Sequence, residues 1–315
     1  MPKVCVIIPT LNRPVELARA ISSALNQTYH DLEVIVVADE LNAATEDVLN
    51  RLANPRLRHI ANPKRVGLAD ARNIAVRATS APWVAFLDDD DEWMPDKIEK
   101  QIAVAEKLTG DHVFVVSKFL ERTADWERIW PETLPTGKDR FSEYMYFQRG
   151  VLLPSTFFVS RQLMVDIPFT SGLRYMEDID WMLRVTSDPR TQLGVVDDAL
   201  VVYNNIQGPG RLTYDTTWQL YYSWAVAQRK LFTPGAFSML LVKTIAAKAR
   251  EGKATWRELL HILSAALLLG SFSFKAVFYF FASVLFTQET KRKVREFFSS
   301  SARRARVIDT SKGQA

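Results

Sequence analysis

Four aspartates, Asp88-Asp89-Asp90-Asp91, follow directly on the apolar run Trp83-Val84-Ala85-Phe86-Leu87. Such a run reads as a buried strand, so the carboxylates are delivered together at its end. Carboxylates in that position are hard oxygen ligands suited to Mg2+ or Mn2+. Such an ion grips substrate phosphates and neutralises charge that builds on a departing diphosphate. The bland alternative is an acidic turn capping the next helix, since acids favour helix N-termini. Four like charges in a row after a core strand repel one another, which is a poor way to build a mere cap. A second acidic group, Glu177-Asp178 with Asp180 close behind, follows the segment Thr170-Ser171-Gly172, read as flexible. A carboxylate at Asp178, starting a helix, is both oriented and exposed, and could deprotonate an acceptor hydroxyl as a general base. Read alone, Asp178 is equally a helix cap, with Glu177 and Asp180 as surface charges. Asp39 is equally a turn residue, and Arg72 equally a surface helix residue. Trp93 and Trp181 could wall an acceptor site, because sugars stack on aromatic faces; core packing is the alternative.

These residues need a scaffold that brings strand ends together. The first part of the chain alternates short apolar runs with amphipathic stretches, the pattern of βαβ units and a largely parallel sheet. Strands are predicted at 4–8, 32–38, 57–60, 83–87 and 112–118, and helices at 15–25, 45–52, 68–78 and from Pro95 through 107. In such sheets ligands bind beyond the carboxyl ends of the strands, so the loops after Ile8, Val37 and Leu87 should converge on one site. From 124 to 150 the pattern weakens to loops with a short helix. A strand at 156–159, a helix at 178–187, a strand at 193–202 and an aromatic-rich helix at 214–231 complete the reading.

The 315 residues suit one main domain with an appendage, and a hydrophobic fraction of 48% excludes general disorder. Cys5, the single cysteine, cannot form an internal disulfide and reads as a buried thiol. Nothing near the N-terminus reads as a segment that directs the chain across a membrane. Charge is uneven. Residues 291–315 hold eight Lys or Arg against two Asp or Glu, whereas the remainder holds 32 against 34. Before that basic tail, between His261 and Glu289, the only charge is Lys275. It splits the run into segments too short for the ~20 residues that span a bilayer. A helix or helical hairpin lying in the membrane interface is expected, with Phe272, Phe274, Phe278, Tyr279, Phe280 and Phe281 in lipid and the tail on anionic headgroups. Packing on protein is the alternative.

The ordered set Val6-Ile7-Ile8-Pro9-Thr10-Leu11-Asn12-Arg13, Asn26-Gln27-Thr28-Tyr29, Val36-Val37-Ala38-Asp39, Gly67-Leu68-Ala69-Asp70-Ala71-Arg72-Asn73 and Phe86-Leu87-Asp88-Asp89-Asp90-Asp91-Glu92-Trp93 resembles a family-2 glycosyltransferase. Met176-Glu177-Asp178-Ile179-Asp180-Trp181 resembles that family's later acidic motif, and the likeness covers about residues 1–205. The resemblance implies an α/β GT-A fold, Rossmann-like with a mostly parallel central sheet, here carrying a C-terminal helical appendage. The expected division is a nucleotide-sugar-binding half over 1–110, an acceptor-binding half over 111–233 and a membrane-associating helical region over 234–315. It also implies an inverting reaction from a nucleotide-diphosphate sugar, with UDP the commonest nucleotide, and Mg2+ or Mn2+ as cofactor. Pro9, Thr10, Asn12 and Asp39 would hold the nucleoside, and Arg72 would lie near the phosphates or base. Asp88 and Asp90 would take the outer places of an Asp-X-Asp motif, Asp90 as the direct metal ligand, with Asp89 close to the sugar or ribose. Asp178 would be the general base, with Glu177, Trp93 and Trp181 toward the acceptor. Two departures stand out. Ala38-Asp39 replaces the usual paired acids, and Val202-Tyr203-Asn204-Asn205-Ile206 lacks a histidine common in relatives, with Arg211 a little later.

Competing classes fare worse. A nucleotidyltransferase or dinucleotide-dependent oxidoreductase would want a glycine-rich loop after the first strand, and Pro9-Thr10-Leu11-Asn12 contains no glycine. A catalytically inactive sugar-binding or scaffold protein is the runner-up, and Asp90 and Asp178 argue against it. Nucleic acid is not an expected partner, since the apolar run before the tail favours a lipid surface. The expected partners are a nucleotide-sugar donor, a glycan or lipid-linked acceptor of surface polysaccharide or lipopolysaccharide assembly, and a membrane surface. The expected location is cytoplasmic, peripheral on the inner face of the cell membrane.

Overall fold

The computed structural model describes residues 2–137, 140–205 and 217–285, and the chain divides into two compact units, Met1–Tyr214 and Asp215–Ala315. The boundary falls ahead of the aromatic-rich helix, which the sequence reading had assigned to the acceptor half.

In the first unit the chain runs β1 (Val4–Thr10), α1 (Pro14–Leu25), β2 (Leu32–Asp39), α2 (Ala43–Arg51), β3 (Leu57–Asn62), α3 (Leu68–Ala78) and β4 (Trp83–Phe86). It continues through β5 (Glu92–Trp93), α4 (Lys97–Ala105), β6 (Val113–Arg122), β7 (Glu127–Trp130), α5 (Phe141–Phe147), β8 (Phe158–Ser160), α6 (Arg161–Asp166), α7 (Glu177–Ser187) and β9 (Gln192–Asn204). The strands form one sheet in the order β3-β2-β1-β4-β8-β6-β9-β5, with β7 paired to β6. The first four strands are parallel, as the βαβ pattern required. Beyond them the sheet is mixed: β8 runs antiparallel to both β4 and β6, whereas β6 and β9 are parallel. Every residue of β1 is buried, because it lies in the middle of the sheet with a partner on each side.

Register creates the crevice. β1 pairs with β2 along its whole length, Val4 to Thr10, but with β4 only from Val4 to Ile7. After the Leu87 N–H bonds the Ile7 carbonyl at 3.0 Å, the chain leaves β1 and the four aspartates begin. The end of β1 is also where the connections diverge to β2 on one side and β4 on the other. A ligand site is expected at such a switch point.

Two elements escaped the sequence reading. The hairpin strand β7 lies in the segment read as loops; its Glu-Arg-Ile outer face is exposed, so no apolar run announces it. The short helix α6 is started by Ser160, whose hydroxyl accepts from the Leu163 N–H. The loop of Thr170-Ser171-Gly172, expected to be flexible, is tied at three points: Thr170 Oγ1 donates to Asp180, and Ser171 Oγ and the Gly172 N–H donate to Asp70.

The second unit is helical: α8 (Trp218–Ala227), α9 (Pro234–Met239), α10 (Ala246–Glu251), α11 (Trp256–Ala265) and α12 (Phe274–Leu285), with π-helical turns at Leu240–Ile245 and Ala266–Gly270. Its core includes Phe237, Leu240, Ile245, Ile262 and Phe280. Phe280, expected in lipid, is therefore an interior residue, and Tyr279 lies under the Lys243 ammonium. Phe272, Phe274, Phe278 and Phe281 are exposed as expected. No helix among the described residues is long and apolar enough to cross a membrane. The basic tail and Arg211 lie outside the described residues.

Candidate active site

Each strand end at the crevice contributes one polar residue. Thr10 ends β1, Asp39 ends β2, and Asp88 follows β4, so the βαβ architecture assembles three groups far apart in sequence. Asn12 turns the chain away from β1 with φ of 56°, a left-handed conformation that asparagine tolerates better than most residues. Arg13 then caps α1 ahead of Pro14. Pro9 is buried at the level of β2 Val37, beyond the last rung that joins β1 to β4.

The aspartate run alternates in character. Asp89 and Asp91 are buried, whereas the Asp88 and Asp90 side chains keep 27% and 26% of their surface. Thr10 Oγ1 donates to Asp89 Oδ2 at 2.7 Å, and Arg13 reaches Asp89 at 3.3 Å and Asp90 at 2.9 Å. Burial pushes the Asp89 carboxyl up to about 7, against the opposing pull of the Thr10 hydroxyl and the Arg13 charge. Asp91 is held well above the ordinary carboxylate range by burial and by the charges of Asp88 and Asp90. Ser155 Oγ donates to Asp91 Oδ2 and accepts the Asp88 N–H, which fixes the start of the run to the segment before β8. Asn204, at the end of β9 where relatives carry histidine, donates to the Asp90 carbonyl at 3.0 Å and to Glu92 at 3.2 Å.

Arg72 is the hub. Its side chain is 1% exposed and donates to Asp88 at 2.6 Å and to Glu177 at 3.4 Å, with the Phe169 ring 5.2 Å from the guanidinium carbon. The surface-helix reading of Arg72 is thereby corrected, since two carboxylates and an aromatic face surround its charge. It joins the end of β4 to the start of α7, and so sets Asp178 near the aspartate run. Met176, with φ of 57°, makes the sharp entry into α7. Asp178 Oδ1 accepts its neighbour's N–H, from Ile179, at 2.8 Å. Its carboxyl is raised to about 7 by burial and by the adjacent Glu177 charge. The Tyr146 hydroxyl lies within the field of Asp178, and burial raises its pKa further.

Asp39 is buried, and its oxygens accept from Asn62 Nδ2 and from the backbone N–H groups of Val66 and Gly67. It therefore organises the loop that starts α3 while sitting at the crevice. The two tryptophans are corrected as acceptor walls. Trp181 has no exposed surface and packs against Phe114, Phe157 and Phe169. Trp93 is 5% exposed, donates to the Ser155 carbonyl and carries the Lys97 ammonium 4.0 Å from its ring. Neither presents a ring face to a sugar. Asp180, read as a surface charge, is buried and bonded to Arg184. Sequence reasoning missed Arg13, Ser155, Asn204 and Tyr146 as neighbours of the site. Only Arg13 carried a signal, by its place in the first motif.

The residues suit a divalent ion held together with a diphosphate. Among the described residues no cluster of three or more His, Cys, Asp or Glu could hold a metal on its own. Mg2+ in particular is commonly bound by one or two carboxylates plus substrate phosphates, and Asp88 and Asp90 are the two less buried members of the run. Arg72 Nε is buried with no partner among the described residues, an unspent donor next to those carboxylates.

Comparison with known proteins accords with this geometry. Over 102 residues the chain is 36% identical to Escherichia coli WfaP, a UDP-Glc:alpha-D-GlcNAc-diphosphoundecaprenol beta-1,3-glucosyltransferase. That match spans 32% of this chain and 41% of the relative's length. The fold resembles S. aureus TarS 1-349 in complex with UDP, with a TM-score of 0.59 at 17% identity, covering 92% of this chain and 91% of that one. It also resembles the Pyrobaculum calidifontis mannosyltransferase PcManGT in complex with GDP-Man and Mn2+, with a TM-score of 0.53 at 18% identity over 96% and 81% of the two chains. The Glycosyl transferase family 2 model matches residues 5–166, about half of the chain, in the region that carries the strand-end aspartates. With a GT-A fold and these motifs in that region, the chain belongs to glycosyl transferase family 2.

Proposed function

We propose that the protein transfers a sugar, with inversion, from a nucleoside-diphosphate sugar to a glycan or lipid-linked acceptor. The observation that carries this reading is the Arg72 bridge, which links Asp88 at the end of β4 to Glu177 beside Asp178. A donor diphosphate at the aspartate run thus lies next to a carboxylate suited to take a proton from an acceptor hydroxyl. Asp88 and Asp90 would hold Mg2+ or Mn2+, which supplies Lewis-acid neutralisation of the departing diphosphate. Thr10 orients Asp89 toward the donor, and Asn12 with Asp39 lines the nucleoside side. Asp178 is the base, and the raised carboxyl gives it a proton affinity useful near neutral pH. The UDP complex of TarS and the UDP-glucose specificity named for WfaP support UDP as the nucleotide. The diphosphoundecaprenol acceptor named for WfaP supports a lipid-linked acceptor in surface polysaccharide assembly.

Such an acceptor would be met at a membrane surface on the cytoplasmic side. The exposed Leu268, Phe272, Phe274 and Phe278 of the second unit, followed in sequence by the basic 291–315 segment, support interfacial contact there. The test of the donor is calorimetric titration of UDP, GDP, TDP and CMP, each with Mn2+ and with EDTA. Metal-dependent binding of UDP is expected. Failure of all four to bind would overturn the reading.

A further inference from the structure

Two arginines neutralise the aspartate run, and they are built differently. Arg72 is locked: it lies inside α3, is 1% exposed, and is gripped by Asp88, Glu177 and the Phe169 ring. Arg13 is held by its backbone only. Its carbonyl accepts the Leu17 N–H at 2.9 Å, while its side chain keeps 25% of its surface. That side chain ends on Asp89 and Asp90 together. A guanidinium on Asp90 and a divalent cation on Asp90 compete for the same oxygens.

We infer that Arg13 is an exchangeable counter-ion, a positioning residue that yields Asp90 when donor and cation bind and moves its charge to the donor diphosphate. This rests on the assignment of Asp90 as a metal ligand proposed above. The chemistry favours Arg over Lys in that second role. A planar guanidinium pairs with two phosphate oxygens at once, and it keeps its charge at every working pH. Arg13 also shares its charge between two carboxylates, so release of Asp90 leaves its contact with the buried Asp89 available as a pivot. The arrangement makes cation and diphosphate bind as a unit: the ion alone must evict Arg13 without giving it a new partner, whereas ion and diphosphate together provide one.

Opposite signs distinguish this role from a structural one. Mn2+ binding is measured by electron paramagnetic resonance without nucleotide, and UDP binding by calorimetry at saturating Mn2+, on wild type, Arg13→Gln and Arg13→Lys. Arg13→Gln is expected to bind Mn2+ alone about 5- to 10-fold more tightly and UDP·Mn2+ about 10-fold more weakly, with Arg13→Lys between. Unchanged Mn2+ affinity, or weakening of both ligands, overturns the exchange. If wild type binds Mn2+ but no nucleotide, it is the donor assignment that falls, and the Mn2+ comparison still decides whether Arg13 guards Asp90.

Discussion

At the residue scale the site is an economy of carboxylates. Removing the base while keeping its shape, as Asp178→Asn, is expected to lower kcat by about 10²- to 10⁴-fold, the usual worth of general base catalysis. UDP·Mn2+ affinity should hold within about twofold, and steady-state kinetics with calorimetry measure both. The base must be ionised to act, so the rate should fall as pH drops through the Asp178 pKa, raised to about 7 by burial and by Glu177. Glu177→Gln removes the adjacent negative charge and releases Arg72 toward Asp178. Both changes favour the ionised base, so the acid limb of the rate profile should move to lower pH. A limb that stays in place, or moves up, would mean another group controls it. Much of this was legible beforehand, because Asp88 to Asp91 and Asp178 carry their chemistry in their letters and in their place after predicted elements. The second partners were not. Ser155 and Asn204 reach the run across 67 and 114 residues of sequence, and nothing local in their segments marks that they would.

At the element scale, α7 is aimed by its anchor. Trp181 lies one helical turn after Asp178 on the buried side and stacks on Phe157 and Phe169 while its Nε1 donates to the Ile167 carbonyl at 2.8 Å. The indole that sequence reasoning offered as a sugar platform is instead what seats the helix carrying the base. Periodicity could not decide this, because an aromatic on an amphipathic helix reads the same toward a ligand or a core. Trp181→Ala should cost about 3–5 kcal/mol in urea unfolding, as large-to-small core changes do. A loss under about 1 kcal/mol would mean the cluster bears little of the packing. The parallel β1 to β4 half was predicted nearly to the residue, since four βαβ repeats announce themselves by apolar period. The mixed half was not, because antiparallel β8 is only three residues long and β7 is exposed.

For the whole molecule, buried acids tie stability to pH. Asp89 and Asp178 have folded pKa values raised above those of the unfolded chain, so the folded state holds more protons between about 4 and 7 and loses stability as pH rises through that window. Asp188 works the other way: the Arg190 guanidinium lowers it to about 2, and its contribution is lost as pH falls below about 4. Thermal unfolding in EDTA should therefore give a higher Tm near pH 5.5 than at pH 8. An equal or higher Tm at pH 8 would mean these carboxyls are not strained when ionised. The second unit makes a separate prediction. Phe272→Ser, Phe274→Ser and Phe278→Ser together should abolish co-sedimentation with vesicles containing anionic lipid and leave UDP·Mn2+ binding intact. Retained sedimentation would remove these residues as the lipid contact.

Four aspartates in a row are written with one letter, yet they divide into an outer pair, Asp88 and Asp90, and an inner pair, Asp89 and Asp91, that cannot trade places. A slip of one position in replication, or in superposing two relatives by their letters, would leave the string looking almost the same while turning each buried acid outward and each outer acid toward Thr10 or Ser155. Shortening the run by a single codon is thus not a mild change to a redundant tract. It is a change of phase, and its severity is set by the threonine and serine that receive the inner pair.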